Sequence, residues 1–214
     1  MGSEVFEDLK KAILEYDSEL AVSSAKKVVG QKLDPFKALD VMTEAIKQVG
    51  DGYGRGELWL PDLVGAGEAM SSAMPVINEE IEKRGGKRQS LGSVVMGTVQ
   101  GDIHSIGKIL VTTLLAAEGF DVHDIGVNVE AEKFIKAVKE HNADLLGMSA
   151  LLTVSAPEQK KVISILTKDG LRDKVKVIVG GGAITQEFAD SIGADGYAPT
   201  APEAVALARS LVGK

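Results

Sequence analysis

From residue 89 onward, strand-like runs and helical stretches alternate, and this alternation restricts the fold more than any other feature of the chain. The runs are Ser93-Val94-Val95-Met96, Asp121-Val122-His123-Asp124-Ile125, Asp144-Leu145-Leu146-Gly147-Met148, Val175-Lys176-Val177-Ile178-Val179 and the short Gly196-Tyr197-Ala198. Helical patterns follow them at about 105–118, 130–141, 156–168, 184–192 and 201–212. A strand that is followed each time by a helix returns parallel to its predecessor, because parallel neighbours need a crossover of helix length. Five such units predict an α/β domain over residues 89–214, built on an open, doubly wound, five-stranded parallel sheet. Ligands of such sheets bind beyond the carboxyl ends of the strands, where the strand order reverses.

Residues 1–88 carry no strand signal. Ser3 is expected to cap a helix running to about Asp17, and a second helix spans Ser18 to Lys27 and stops at Gly30. Asp34-Pro35 is an N-cap followed by proline in the first turn, with Gly50 closing that helix. Pro61 opens a longer helix that ends at Gly85-Gly86 and carries Pro75 inside it, where a kink is expected. Val5, Leu9 and Ile13, and again Leu39, Met42 and Ile46, recur at helical spacing. Four helices with short connections predict a small bundle as a first domain, 1–88. The glycine-rich stretch Gly50 to Gly56 and the pair Gly85-Gly86 read as hinges of a mobile lid.

Composition excludes several function classes. The 214 residues contain no cysteine, which removes disulfides, thiolate metal sites, iron–sulfur clusters and a cysteine nucleophile. The formal net charge of −7 disfavours nucleic acid as a partner. The tightest basic cluster, Lys83, Arg84, Lys87 and Arg88, reads as a solvated helix end. No run approaches the roughly 18 apolar residues of a membrane span, and the acidic start predicts no signal peptide, so a cytoplasmic location is expected.

The informative loops are those that follow strands. After the first strand come Gly101-Asp102-Ile103-His104-Ser105-Ile106-Gly107. A neutral imidazole is a good transition-metal ligand, and a carboxylate on its second nitrogen fixes its tautomer. The plainer alternative is a helix N-cap by Asp102 with an exposed His104. After the third strand, Ser149, Thr153 and Ser155 could bond a polar ligand or the Asp102 carboxylate, or could cap the helix that starts near Pro157. After the fourth, Gly180-Gly181-Gly182 lets backbone lie against a phosphate or a flat ring, or makes a tight turn. No dinucleotide or Walker fingerprint occurs. His123, mid-strand, and His141, at a helix end, lack companions at metal-ligand spacing and read as structural.

Together the loops resemble the cobalamin-binding signature DxHxxG…SxL…GG, carried here by Asp102, His104 and Gly107, then Ser149 and Leu151 with Thr153, then Gly181-Gly182. Gly56-Glu57-Leu58-Trp59-Leu60-Pro61 resembles the helical-cap motif of the same family. The likeness covers nearly the whole chain, which is identified as a member of the stand-alone corrinoid proteins of anaerobic methyltransferase systems, similar to the cobalamin module of methionine synthase.

The resemblance implies cobalamin as cofactor, methylcobalamin in the loaded state, with His104 as the lower axial ligand of cobalt. It implies that Asp102 accepts the other imidazole N–H and that Ser155 extends that chain. Gly101, Ile103, Ser105, Ile106 and Gly107 belong to the binding loop. Ser149, Leu151 and Thr153 would line the slot of the nucleotide tail, Gly181 and Gly182 would make room for it, and Ala201 would touch the benzimidazole. Trp59 would cover the methyl-carrying face. Arg55 departs from the family, which often has an acid there, so the cap contact of that acid is not carried over. The implied function is a methyl carrier, not catalytic alone, that takes a methyl group from a substrate-specific methyltransferase and passes it to a second one acting on coenzyme M or tetrahydrofolate, with a reductive activation protein as a further partner. Competing readings are a cobalamin-dependent regulator or sensor, which needs a DNA-binding domain, a mutase cobalamin subunit, which usually lacks the helical cap, and a receiver-like or nucleotide-binding sheet, which needs a phosphate loop.

Overall fold

The computed structural model describes residues 2–85 and 90–213. The expected domain boundary between residues 88 and 89, with Gly86, Lys87 and Arg88, lies outside the described residues. The described residues form two compact units, one helical and one built on a sheet.

The helical unit contains α1 (Gly2–Leu14), α2 (Ser18–Gly30), α3 (Pro35–Gly54) and α4 (Leu60–Lys83). Leu9, Ile13, Met42, Ile46, Leu63 and Ile77 are fully buried in it. Ala21 and Ala25 of α2 and Ala66, Ala69 and Ala73 of α4 are equally buried, and these two helices pack on each other. Asp17 caps α2 by accepting the Leu20 N–H at 2.9 Å, and Asp34 caps α3 by accepting that of Phe36 at 2.9 Å. α2 starts at Ser18 and stops at Gly30, as expected. Two expectations are corrected. Ser3 lies within α1 and is not its cap. α3 passes Gly50 and continues to Gly54, so most of the expected hinge is helix; a side chain at Gly52 would meet Leu58 at 2.9 Å, and Gly56 is the glycine of that stretch with positive φ. Lys83 and Arg84 pair with Glu79 and Glu80 one turn earlier, as a solvated helix end does.

The second unit runs β1 (Ser93–Thr98), α5 (Ile106–Ala117), β2 (Asp121–Asp124), α6 (Ala131–Glu140), β3 (Leu145–Ser149), α7 (Pro157–Lys168), a 3-10 turn (Arg172–Lys174), β4 (Lys176–Gly180), α8 (Gln186–Ile192), β5 (Gly196–Tyr197) and α9 (Ala201–Leu211). The strand order is β2-β1-β3-β4-β5 with every pairing parallel. Side chains alternate across the sheet: Val95, Leu146 and Val177 join the core with α6, α7 and α8, while Val94, Met96 and Leu145 join the other with α5 and α9. The chain leaves β1 for β2 on one side and reaches β3 on the other, so the order reverses at the carboxyl ends of β1 and β3. Among the described residues, no helix is long and apolar enough to cross a membrane.

Candidate functional site

The loop from β1 to α5 starts at the reversal point. Asp102 within it is completely buried, and all its polar capacity is used. Oδ1 accepts from the His104 ring Nδ1 at 2.7 Å and from the His104 backbone N–H at 3.1 Å. Oδ2 accepts from the backbone N–H groups of Leu151 at 2.7 Å and Leu152 at 3.2 Å, and from the Ser155 hydroxyl at 2.8 Å. That hydroxyl also lies 2.9 Å from the Leu152 carbonyl. It has one proton, and the charged oxygen is the stronger acceptor.

A buried carboxylate loses several kcal/mol of hydration, but each hydrogen bond to a charged group returns about 1.5–3 kcal/mol. Five donors decide the sign. Burial would raise the Asp102 carboxyl, yet the bonds from His104, Ser155 and Leu151 outweigh it and hold the group well below the usual carboxylate range. Asp102 is therefore an anion, and the ring nitrogen facing it carries a proton. The imidazole then has its Nε2 lone pair unprotonated in the neutral ring, and the side chain is 48% exposed.

The sheet edge that carries His104 is rich in exposed apolar side chains. Among the described residues, eight large apolar side chains are exposed, and six of them follow the carboxyl ends of strands here: Ile103 and the first residue of α5, Ile106, after β1, Val127 after β2, and Leu151, Leu152 and Val154 after β3. Covering such side chains contributes roughly 25 cal/mol per Å² removed from water. A patch of this kind marks a binding surface.

The structure brings Asp102, His104 and Ser155 into one hydrogen-bonded chain, with Gly101, Ile103 and Ser105 on the same loop and Ile106 and Gly107 in the first turn of α5. The helix-cap alternatives are not what it shows: α5 begins at Ile106, four residues past Asp102, and α7 begins after Ala156, which makes no side-chain cap. Ser149 ends β3, and Leu151 and the exposed Thr153 follow it. Gly181 and Gly182 follow β4 and serve the protein's own packing: Gly181 has φ +112°, and a Cβ there would lie 2.2 Å from the Ala150 carbonyl oxygen, while one on Gly182 would meet the Leu151 side chain at 2.7 Å. A Cβ on Gly107, in the first turn of α5, would meet nothing. Ala201 is the first residue of α9. Trp59 belongs to the helical unit, where it is 76% exposed just before α4. Arg55 forms a two-pronged ion pair with Glu57 at 2.8 and 2.9 Å.

Sequence reasoning missed several participants. The Leu151 and Leu152 amides carry no side-chain signature. Lys108 of α5 is almost fully buried and pairs with Asp124 at the end of β2, whose other oxygen accepts the Gly126 N–H at 2.9 Å. Asn128 touches the loop twice, and the turn-forming Gly126-Val127-Asn128 was its available signal.

Comparison with known proteins agrees with this geometry. Two models described as B12 binding domain match residues 92–206 and 5–78. A dimethylamine corrinoid protein of Methanosarcina barkeri is 41% identical over 210 residues, covering 98% of both chains, and a corrinoid protein of Desulfitobacterium hafniense is 40% identical over 212 residues, again covering 98% of both. Among solved structures, the methanol:cobalamin methyltransferase complex MtaBC of Methanosarcina barkeri matches with a TM-score of 0.79 at 29% identity, covering 98% of this chain and 80% of that one. The monomethylamine corrinoid protein of the same organism matches at 0.56 and 33% identity, covering 99% and 100%. With a half-exposed histidine on a buried aspartate at the reversal point of a parallel sheet, four helices before it, and matches to corrinoid proteins over nearly its whole length, this chain belongs to the family of corrinoid proteins with B12 binding domains, and its cofactor is cobalamin.

Proposed function

We propose that this chain is a methyl carrier between two methyltransferases and that His104 is its ligand to the corrinoid cobalt. The single observation that carries the reading is the His104 ring, fixed through Nδ1 on a fully buried carboxylate and half exposed among apolar side chains. The residues present fit a corrinoid: a flat, largely apolar macrocycle suits the collar of Ile103, Ile106, Leu151 and Val154, and Gly107 leaves open space beside it. When bound, the corrinoid supplies a cobalt centre that accepts a methyl group from one partner and yields it to another.

The chain's own residues supply the rest. Asp102 holds the tautomer in which Nδ1 is protonated and Nε2 is a donor to metal. The 2.7 Å contact from Nδ1 to Asp102 also fixes the orientation of the ring, so that Nε2 faces away from the carboxylate. Ser155 keeps Asp102 from swinging away. Ser149, Thr153, Gly181, Gly182 and Ala201 are assigned to the nucleotide tail and Trp59 to the cover of the methyl-carrying face; these assignments rest on the family signature. The helical residues 1–88 are assigned as cap domain and 89–214 as cobalamin domain. The partners are a substrate-specific methyltransferase, a second one acting on coenzyme M or tetrahydrofolate, and a reductive activation protein, all in the cytoplasm.

The test is reconstitution of the full chain with hydroxocobalamin and nitrogen-15 labelling of its imidazoles. In the Co(II) state, electron paramagnetic resonance should show hyperfine coupling to one imidazole nitrogen, and His104→Ala should abolish it. Coupling to the benzimidazole nitrogen in the wild type would overturn the assignment.

A further inference from the structure

Asn128, in the loop between β2 and α6, holds the His104 loop at two points. Its backbone N–H donates to the Asp102 carbonyl at 2.8 Å, and its side-chain Oδ1 accepts the Gly101 N–H at 2.8 Å. The two bonds hold the peptide before Gly101 and the peptide after Asp102, so they bracket the pair. Asn128 itself has φ +54°, a left-handed conformation that asparagine tolerates better than most residues.

The segment that carries Asn128 is itself tied to the sheet. The Val129 N–H donates to the Thr98 carbonyl at 3.0 Å, the Thr98 N–H donates to the Gly126 carbonyl at 3.0 Å, and Val99 and Val129 form a parallel bridge. Asn128 is thus an anchored point, whereas Gly101 is a soft one. Gly101 has φ +80°, and glycine populates such conformations alongside many others. A rotation at Gly101 swings the Asp102 and His104 backbone together.

We infer that Asn128 is a positioning residue for His104: its clamp on Gly101 and Asp102 sets the ring before the cofactor arrives. A ligand group that is already placed loses less freedom on binding, and this is where the gain in affinity comes from. The inference rests on the reading of His104 as the cobalt ligand.

Three variants separate the clamp from a general effect on folding. Asn128→Gly keeps the positive φ and removes the side-chain acceptor. Asn128→Ala removes the acceptor and strains the backbone. Asn128→Asp restores an acceptor at the same place. In the apoprotein, amide exchange at Gly101, followed by nuclear magnetic resonance, should accelerate about tenfold in the Gly and Ala variants and return towards wild type in the Asp variant, the size expected for loss of one hydrogen bond. In the hydroxocobalamin-loaded chain, Asn128→Gly should weaken cofactor binding about tenfold, at the low end for groups that orient a metal ligand. It should also lower the fraction of Co(II) coupled to imidazole nitrogen, with the melting temperature of the apoprotein unchanged. A purely structural role predicts a lower melting temperature and an unchanged coupled fraction in the molecules that retain cobalamin, and that result would overturn the inference. So would unaltered Gly101 exchange in Asn128→Gly. A wild type without imidazole coupling would remove the His104 assignment instead, which the Gly101 exchange distinguishes because it needs no cofactor.

Discussion

The pattern Asp-x-His occurs twice in this chain, and the two copies have different structures. Asp102 and His104 lie in a loop; Asp121 and His123 lie on β2, where residues two apart share a face of the sheet. In the loop the Asp–His distance is 2.7 Å and the carboxylate has no exposure. On the strand it is 3.3 Å and both side chains are partly exposed. The loop backbone turns the His104 N–H onto the same carboxylate oxygen, a bond that an extended strand cannot offer. His123 stacks instead on His141, with ring centroids 3.7 Å apart and planes at 14°. Spacing brings a carboxylate to an imidazole in both places. What sets the loop pair apart is the protein supplied around its carboxylate: three further donors from the β3–α7 loop.

Removing each carboxylate tests that difference most severely. Asp102→Ala deprives the Leu151 and Leu152 amides of their acceptor and leaves the Ser155 hydroxyl only the Leu152 carbonyl, and each buried group left unpaired costs about 1–3 kcal/mol. The apoprotein should lose about 3 kcal/mol in urea unfolding, and cobalamin affinity should fall at least 10–100-fold. Asp121→Ala should cost less stability than Asp102→Ala and leave cobalamin affinity alone. Equal losses in the two variants would mean that the shared spacing, and not the surroundings, sets the role of each pair.

The glycines on the loops sharpen the same contrast between what the fold needs and what a ligand needs. Gly181 combines φ +112° with the Ala150 backbone 2.2 Å from any added Cβ, so Gly181→Ala should destabilise the apoprotein by about 3 kcal/mol. Gly107 meets nothing and sits in the first turn of α5, where alanine is a better helix former by up to about 1 kcal/mol. Gly107→Ala should therefore leave thermal stability level or raised while weakening cobalamin binding. Wild-type affinity in that variant would show that the corrin does not approach the first turn of α5.

Legibility in the sequence followed the kind of signal involved. The strands and their helices were readable because alternation, apolar runs and Gly/Pro punctuation are side-chain patterns. The α3 end was not, because the helix runs on to Gly54 through Gly50 and Gly52, glycines that locally argue for a stop. Asp102, His104 and Ser155 were readable as polar residues on loops at the sheet edge. The Leu151 and Leu152 amides were not, since a backbone donor looks the same in every residue. The His123–His141 stack depends on α6: ten residues at about 1.5 Å each roughly match the length of β2, so the helix returns His141 to the level of that strand.

That stack yields the smallest predicted effect. Burial, and then the neighbouring His123, lower the His141 pKa below the ordinary imidazole value, against a weaker upward pull from Glu140 and Asp121. The folded protein therefore binds this proton less tightly than the unfolded chain does. Its stability contribution is complete above about pH 6.5, the usual imidazole value, and is lost as pH falls from there through the depressed folded value. His141 lies at the surface, where solvent screens such terms, so the shift should be modest. His141→Gln removes the titrating group while Asp102, His104 and Ser155 stay as they are. Between pH 7.5 and pH 5.5 the melting temperature of the apoprotein should fall by about 1–2 °C more in wild type than in the variant. Parallel profiles would mean that the second histidine pair is held by packing alone, and that the only Asp-x-His copy with electrostatic consequences is the one on the β1–α5 loop.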